Sequence, residues 1–502
     1  MTWRIDMPFS IKALYSALRQ SGSDGDGIFY SLTQGNRIEA ILDTPQLWGH
    51  NPAVFDYVPA AGNLRDAITS LISTATKTVD ISVLFPFPYG LFLDAIQTGL
   101  AKVDPRIQVR ITAGFYFPIP PAQVDPVGLI DQFIRDLALR PQTRLHVAAM
   151  QTWATSWNHS KLIIVDGQRA ISGGHNQWSD DYTQFAPVHD VSFQFSGPAA
   201  KTGENFINAI WTRKWYDTAV PRSETPPLFW SRASFDGQIG PSPLIIFDNP
   251  SSTTGQTAML AVGRAGINLE PLFPLVSSDN ASLLARTLAV SMADKDHILM
   301  SQQMLGGSPL GEYDAQFFPA LCDHIIRGGR LSLIISDTGA TTMTHDSYSG
   351  DGIEATAQHF ARTIRSIRPD LSKSQLVELL REGLHIGPTR IYDRQPGDPE
   401  AKSWLWRNGS EALEPANHAK IMIFGDAGFY IGSDNAYAMP FNPFGMQEFG
   451  HLVEGIAETR LLIDQYWAKA WTYSAQFEVK DWERIVDEAE AMHEPARQIH
   501  PS

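Results

Sequence analysis

Apolar residues recur along the chain in two alternating periods. Leu64, Ile68, Leu71 and Ile72 share one helical face, and Thr78-Val79-Asp80-Ile81-Ser82-Val83-Leu84 then alternates as a strand does. Residues 92–103 return to helical spacing, and Ile107-Gln108-Val109-Arg110-Ile111 returns to the strand pattern. The stretch 221–256 breaks this rhythm. Pro221, Pro226, Pro227, Pro241, Pro243 and Pro250 punctuate a Ser- and Gly-rich segment that reads as a linker. Beyond it the alternation resumes, with helical spacing over Ala281–Met292 and strand patterns at His297–Ser301 and Leu331–Ile335. Such alternation predicts α/β sandwiches. The chain therefore reads as two similar α/β halves, 1–220 and 257–502, joined by the linker 221–256.

Composition narrows the class. At 502 residues, 43% of them hydrophobic, the chain has ample apolar surface for buried cores, which excludes a disordered or fibrous protein. Acids outnumber bases 54 to 39, for a net charge of −15, so no nucleic-acid partner is expected. The single cysteine, Cys322, can form no intrachain disulfide and fits a reducing compartment. The N-terminus carries no long apolar stretch, and no apolar run approaches the ~20 residues of a membrane-spanning helix. The expectation is a chain with no signal peptide and no transmembrane segment, cytoplasmic or exported by a leaderless route.

The two halves share a sharper repeat. Residues 158–178 read NHSKLIIVDGQRAISGGHNQW and residues 417–435 read NHAKIMIFGDAGFYIGSDN. In both, Asn-His-x-Lys leads into an apolar strand. A Gly-Gly or Gly-Ser pair begins 14 residues after the His (159 to 173, 418 to 432), and an Asn falls 17 after it, at Asn176 and Asn435. WTRKW (Trp211, Trp215) and WAKAW (Trp467, Trp471) then follow at similar distances. Matched spacing over such a length indicates duplication.

These residue types carry a legible chemistry. His and Lys two apart in a strand point to one face. Two copies brought together would place His159, His418, Lys161, Lys420, Asn176 and Asn435 around one point. Lys and Asn supply donors for phosphate oxygens. One His can attack phosphorus while the other protonates the leaving oxygen. The lysines already bring positive charge, so neither metal nor cofactor is expected.

The motif HxKx4D followed by GGxN or GSxN resembles the phospholipase D superfamily, and more closely its secreted actinomycete-type bacterial members. WNHSKLIIVDG at 157–167, DVSFQFSGPAA at 190–200, ISVLFPFP at 81–88, FYIGSDN at 429–435 and QEFGHLVE at 447–454 carry the likeness. The resemblance implies a duplicated α/β fold with one active site at the interface of the halves. It implies His159 as the nucleophile that accepts the phosphatidyl group, and His418 as the acid that releases the head group and then the base that activates water or an alcohol. Lys161, Lys420, Asn176 and Asn435 match phosphate-binding positions, and Asp190 and Glu448 match acids that orient the imidazoles. The supporting Asp of the motif is Asp166 in the first copy. The second has Gly425 there, with Asp426 one place later, so either Asp426 substitutes through a slipped loop or the position is dispensable. The disulfide cysteines typical of the secreted relatives are missing, and a leader peptide like theirs is not expected.

Three loops are unusually apolar: FPFPYGLF at 85–92, FYFPIPP at 115–121 and MPFNPFGM at 439–446. Aromatic loops above a phosphodiester site suit a membrane surface. The reading is a monomeric phospholipase D acting on phospholipid, with water or an alcohol as acceptor. A superfamily nuclease, a phosphatidyltransferase and a catalytically inactive lipid-binding homologue are its alternatives.

Overall fold

The computed structural model describes residues 9–21, 25–115, 125–153, 156–212, 228–242, 245–264, 280–307, 311–340, 348, 350–393, 403–409, 411–438 and 446–492. Its strands form two sheets of matching order. In the first, β1 (Tyr30–Thr44), β2 (Thr78–Leu84), β3 (Gln108–Gly114), β4 (Arg144–Trp153), β5 (Leu162–Val165), β6 (Arg169–Gly173) and β7 (Val188–Ser196) run in the spatial order β4-β3-β2-β5-β6-β7-β1. In the second, β9 (Thr257–Arg264), β10 (His297–Gln302), β11 (Arg330–Ile335), β12 (Leu384–Pro388), β13 (Lys420–Phe424), β14 (Gly428–Gly432) and β15 (Glu448–Glu454) run β12-β11-β10-β13-β14-β15-β9. Each sheet is parallel over its first three strands and antiparallel beyond them. The strand patterns at 78–84, 297–301 and 331–335 and the helical spacing at 281–292 fall on elements of those kinds.

The strands are apolar on both faces because both faces are covered. Helices Gly62–Ile72 and Leu91–Ala101 pack Leu64, Ile68, Phe92 and Ile96 against Val79, Ile81 and Ile111 of the first sheet. A second cluster does the same for the C-terminal half. Between the sheets lies a third, in which Leu162, Ile164, Phe193 and Phe195 meet Ile421, Ile423, Phe429 and Phe449. His451 sits in this layer, its ring against Phe193, Phe195 and Phe449, and burial pushes its imidazole down to about 3.

Strand β1 belongs to both sheets. Tyr30–Asn36 pairs with β9 of the second, and Arg37–Thr44 pairs with β7 of the first, with a register shift on either side of the changeover. Helix Ile11–Gln20 precedes it and also packs on the second half: the Ile11 amide donates to Glu454 Oε2 at 2.8 Å, and Phe9 stacks on Phe424 at 4.9 Å. The described residues before 37 thus complete the C-terminal core.

Two sequence expectations meet a different local structure. The stretch read as a linker contains β8 (Leu228–Phe235), which adds antiparallel to β4 at the sheet's edge, and a short return strand Gln238–Pro241. The apolar loop 85–92 turns inward. Phe87 stacks on Phe133 at 4.5 Å, and Phe85 and Phe92 are buried in the first core. Apart from Phe115 and Met446, the loops 115–121 and 439–446 lie outside the described residues, as does Trp215. No described helix is long and apolar enough to cross a membrane.

Candidate active site

Each motif enters its strand through the same backbone arrangement, built on the opposite half. The His159 amide donates to the Gln447 carbonyl at 2.8 Å, and the His418 amide donates to the His189 carbonyl at 2.7 Å. Asn158 and Asn417, one residue before each histidine, are buried anchors. The Asn158 amide group donates to Ser82 Oγ at 2.8 Å and to the Val83 carbonyl, and that of Asn417 donates to Ser301 Oγ at 2.9 Å and to the Gln302 carbonyl. Both asparagines are legible in the repeat, but sequence reasoning assigned them no role.

The imidazoles are oriented crosswise. His159 Nδ1 lies 2.8 Å from Glu448 Oε1, and His418 Nδ1 lies 2.7 Å from Asp190 Oδ2. The acid for each histidine therefore comes from the other half. The two rings stand edge to face with centroids 6.5 Å apart. Lys161 and Lys420 flank them. Each ammonium donates to the carbonyl of its own motif histidine, at 2.6 Å for Lys161 and 2.5 Å for Lys420. Asn176 and Asn435, on the loops after β6 and β14, are buried as well, and the Asn435 amide group donates to the Tyr437 hydroxyl at 3.0 Å.

Burial sets the electrostatics. It lowers Lys161 to about 7 and Lys420 to about 8, against the pull of Glu448 and Asp190. It also lowers His159, with the two lysines pushing the same way and Glu448 opposing. Burial alone would raise Glu448, but His159, Lys161 and the Ser433 hydroxyl outweigh it and hold the carboxyl below its ordinary value. Asp190 goes the other way: burial raises it, and Lys420 and His175 offset that only in part. Burial thus shifts both lysines and His159 toward their neutral forms. Among the described residues, no group of three or more His, Cys, Asp and Glu side chains is disposed to hold a metal ion.

Asp166 stands away from the rings. Its carboxylate accepts the amides of Thr76, Lys77 and Thr78, each at 2.8 Å, and the Thr76 hydroxyl at 2.6 Å, tying the turn after β5 to the start of β2. Gly425 occupies the matching turn, and Asp426 is exposed one residue later.

Other residues that build the site carried no sequence signal. Arg286, fully buried, donates to Asp434 Oδ2 at 2.6 Å and to the carbonyls of Asp434 and Asn435, so it fixes the Gly-Ser-Asp-Asn loop from a helix 148 residues away. Tyr348 sets its ring 5.4 Å from that of His418 and donates to Asp181 Oδ2 at 3.2 Å.

No family model matches the chain. A curated relative, phospholipase D of Streptomyces antibioticus, is 29% identical over 518 residues, covering 93% of this chain and 88% of that protein. Among solved structures, the phosphatidylserine synthase of Haemophilus influenzae Rd KW20 shares the fold with a TM-score of 0.51 at 11% identity, over 95% of this chain and 97% of that one. A resemblance that begins at two His-x-Lys motifs thus continues through nearly the whole sequence, and over that length the chain is similar to a phospholipase D.

Proposed function

We propose that this protein is a phospholipase D. It would cleave the head-group phosphodiester of glycerophospholipids at a membrane surface through a phosphohistidine, and pass the phosphatidyl group to water or to alcohols. The observation that carries this reading is the pair of buried imidazoles 6.5 Å apart, each held at Nδ1 by an acid of the other half, with a buried lysine beside each.

With Nδ1 committed to the acid, Nε2 is the nitrogen each ring brings to the substrate. Burial favours neutral His159, the form a nucleophile needs. His159 Nε2 attacks phosphorus and a P–N bond forms. The bond to the head-group oxygen breaks, and that oxygen takes the proton of His418 Nε2. Neutral His418 then removes a proton from water or an alcohol, whose oxygen attacks phosphorus and expels His159. Each histidine ends as it began. Lys161, Lys420, Asn176 and Asn435 supply hydrogen-bond donors to the non-bridging oxygens, whose charge grows in the transition state.

Release of choline or ethanolamine from liposomes of defined composition tests the reading, with His159→Ala as the control. Turnover by the parent and none by the variant is expected. Liposome binding without turnover by the parent would replace the enzyme with a lipid-binding homologue.

A further inference from the structure

We propose that His189, clamped by Asp43, is a positioning residue for His418, a support whose His–Asp clamp has no counterpart behind His159 among the described residues. The proposal deepens the mechanism above and rests on its assignment of His418 as acid and base.

His189 and Asp190 form a dipeptide at the start of β7 that holds His418 twice. The His189 carbonyl accepts the His418 amide at 2.7 Å, and the Asp190 carboxylate meets His418 Nδ1 at 2.7 Å. Whatever fixes this dipeptide therefore fixes both the main chain and the ring of His418. The His189 side chain is fully buried and gripped from three sides. Its Nε2 lies 2.6 Å from Asp43 Oδ1, and because a carboxylate only accepts, Nε2 carries the proton. Asp43 Oδ2 accepts the Trp48 indole N–H at 2.9 Å, and the Trp48 ring stands edgewise on His189 at 4.7 Å. Tyr466 stacks on His189 with centroids 5.3 Å apart and planes 5° apart. The Tyr466 hydroxyl shares a 2.7 Å hydrogen bond with Ser301, whose oxygen also accepts from Asn417, the residue before His418. The support closes on itself around one histidine.

The other half lacks these parts. Pairing of Thr44 with Asp190 and of Arg264 with Glu448 sets β1 and β9 in register, so the place of Asp43 is taken by Gly263. Gln447 stands where His189 stands. The residue before Trp211 is Ile210, where the residue before Trp467 is Tyr466. Glu448 is steadied by the Ser433 hydroxyl at 2.5 Å, whereas Ser433 is matched by Gly174, where even a Cβ would lie 2.0 Å from Asp190 Oδ1. A hydroxyl therefore has no room beside Asp190, and the clamp acts from behind instead. The difference suits the two tasks. His159 is held in place by its bond to phosphorus once it has reacted, while His418 must keep its aim through both protonation states.

The test uses His189→Gln, which installs the residue of the other half, and Asp43→Asn, which keeps shape. A p-nitrophenyl phosphodiester needs little help from an acid to lose its leaving group, but the adduct still needs a base to hydrolyse. For both variants we expect the burst of nitrophenolate to stay within about threefold of the parent. Adduct decay and choline release from liposomes should fall about tenfold or more, a share of the ~10²–10⁴ that acid–base catalysis contributes. In protein with ¹⁵N-labelled histidine, the His418 Nδ1–H signal, assigned with His418→Ala, should shift or broaden while that of His159 holds. Equal losses in burst and decay, or an unmoved His418 signal, would overturn the proposal. If His418→Ala itself fails to separate burst from decay, the role given to His418 is wrong, and the signal alone then decides whether His189 positions it.

Discussion

Gly425 and Asp166 hold the same left-handed backbone, at φ 56° and 53°, in equivalent turns of the two halves. The Asp166 amide donates to the Thr78 carbonyl at 3.1 Å and the Gly425 amide to the His297 carbonyl at 3.0 Å. The turn is thus kept while the carboxylate is lost. A Cβ on Gly425 would lie 3.5 Å from the Asp296 carboxyl carbon, in the loop that corresponds to Thr76–Thr78. A second carboxylate there would face a like charge.

Asp166→Ala should therefore act on stability. It strips the acceptor from three amides and a hydroxyl and leaves alanine in a left-handed turn, at a cost of about 2–3 kcal/mol. Gly425→Asp should restore nothing and destabilise by about 1 kcal/mol. Chemical unfolding alongside turnover per folded molecule checks both. A loss of turnover with stability intact would place Asp166 in the chemistry.

The two histidines should part company in mass spectra of quenched enzyme. His418→Ala given a p-nitrophenyl phosphodiester should form phospho-His159 and stall, because the base is gone. His159→Ala should form no adduct with any substrate. An adduct on His418 in the latter protein would reverse the roles.

On the proposed assignment of Lys161 and Lys420 to the phosphate, binding should depend on pH. Burial lowers Lys161 to about 7 and Lys420 to about 8, whereas a bound phosphate oxygen would favour both ammonium forms. Binding of inorganic phosphate should then take up protons increasingly from pH 7 to 9, and affinity should fall over that range. Calorimetry in two buffers of different ionisation enthalpy measures the uptake; none at pH 9 would contradict this. Because both values lie below the ~10.4 of an unfolded lysine, the unfolded chain binds more protons between them, and folding stability from these groups rises with pH in that window.

His451 should shape the acid limb. Its folded value of about 3 lies below the ~6.5 of an unfolded histidine, so stability is lost as pH falls from 6.5, by ~1.4 kcal/mol per unit. His451→Phe copies Phe193, the residue at the matching place beside it, and removes the titration. Relative to the parent, it should gain about 2 kcal/mol between pH 7 and pH 5 in guanidinium unfolding. A constant difference across that range would show that His451 is not the group responsible.

Strand and helix patterns were legible where periodicity was strong, as at Thr78–Leu84 and Ala281–Met292, and the motif residues stood out because they occur twice at one spacing. Partnership was not legible. Glu448 lies 289 residues from His159, and nothing local in the chain chooses it over Asp190. The same holds for Arg286 and Asp434. Loop 85–92 shows a second limit: aromatic residues beside prolines have no period, so their sequence does not say whether Phe85 and Phe87 face lipid or core. The hairpin at 228–241 was hidden by prolines, which an edge strand tolerates where a central one does not.

Strand β1 bears on how such a chain is made. As it is synthesised, Tyr30–Asn36 emerges long before Thr257–Arg264, its partner, and must keep an unpaired edge through the intervening residues. A cut between 212 and 228 would likewise yield no two self-sufficient pieces. The earlier fragment would carry off Leu14, Leu18 and Tyr30, and the later one would be left with Leu260 and Val262 uncovered. The two fragments would be soluble only when made together, each wearing an arm that belongs to the other.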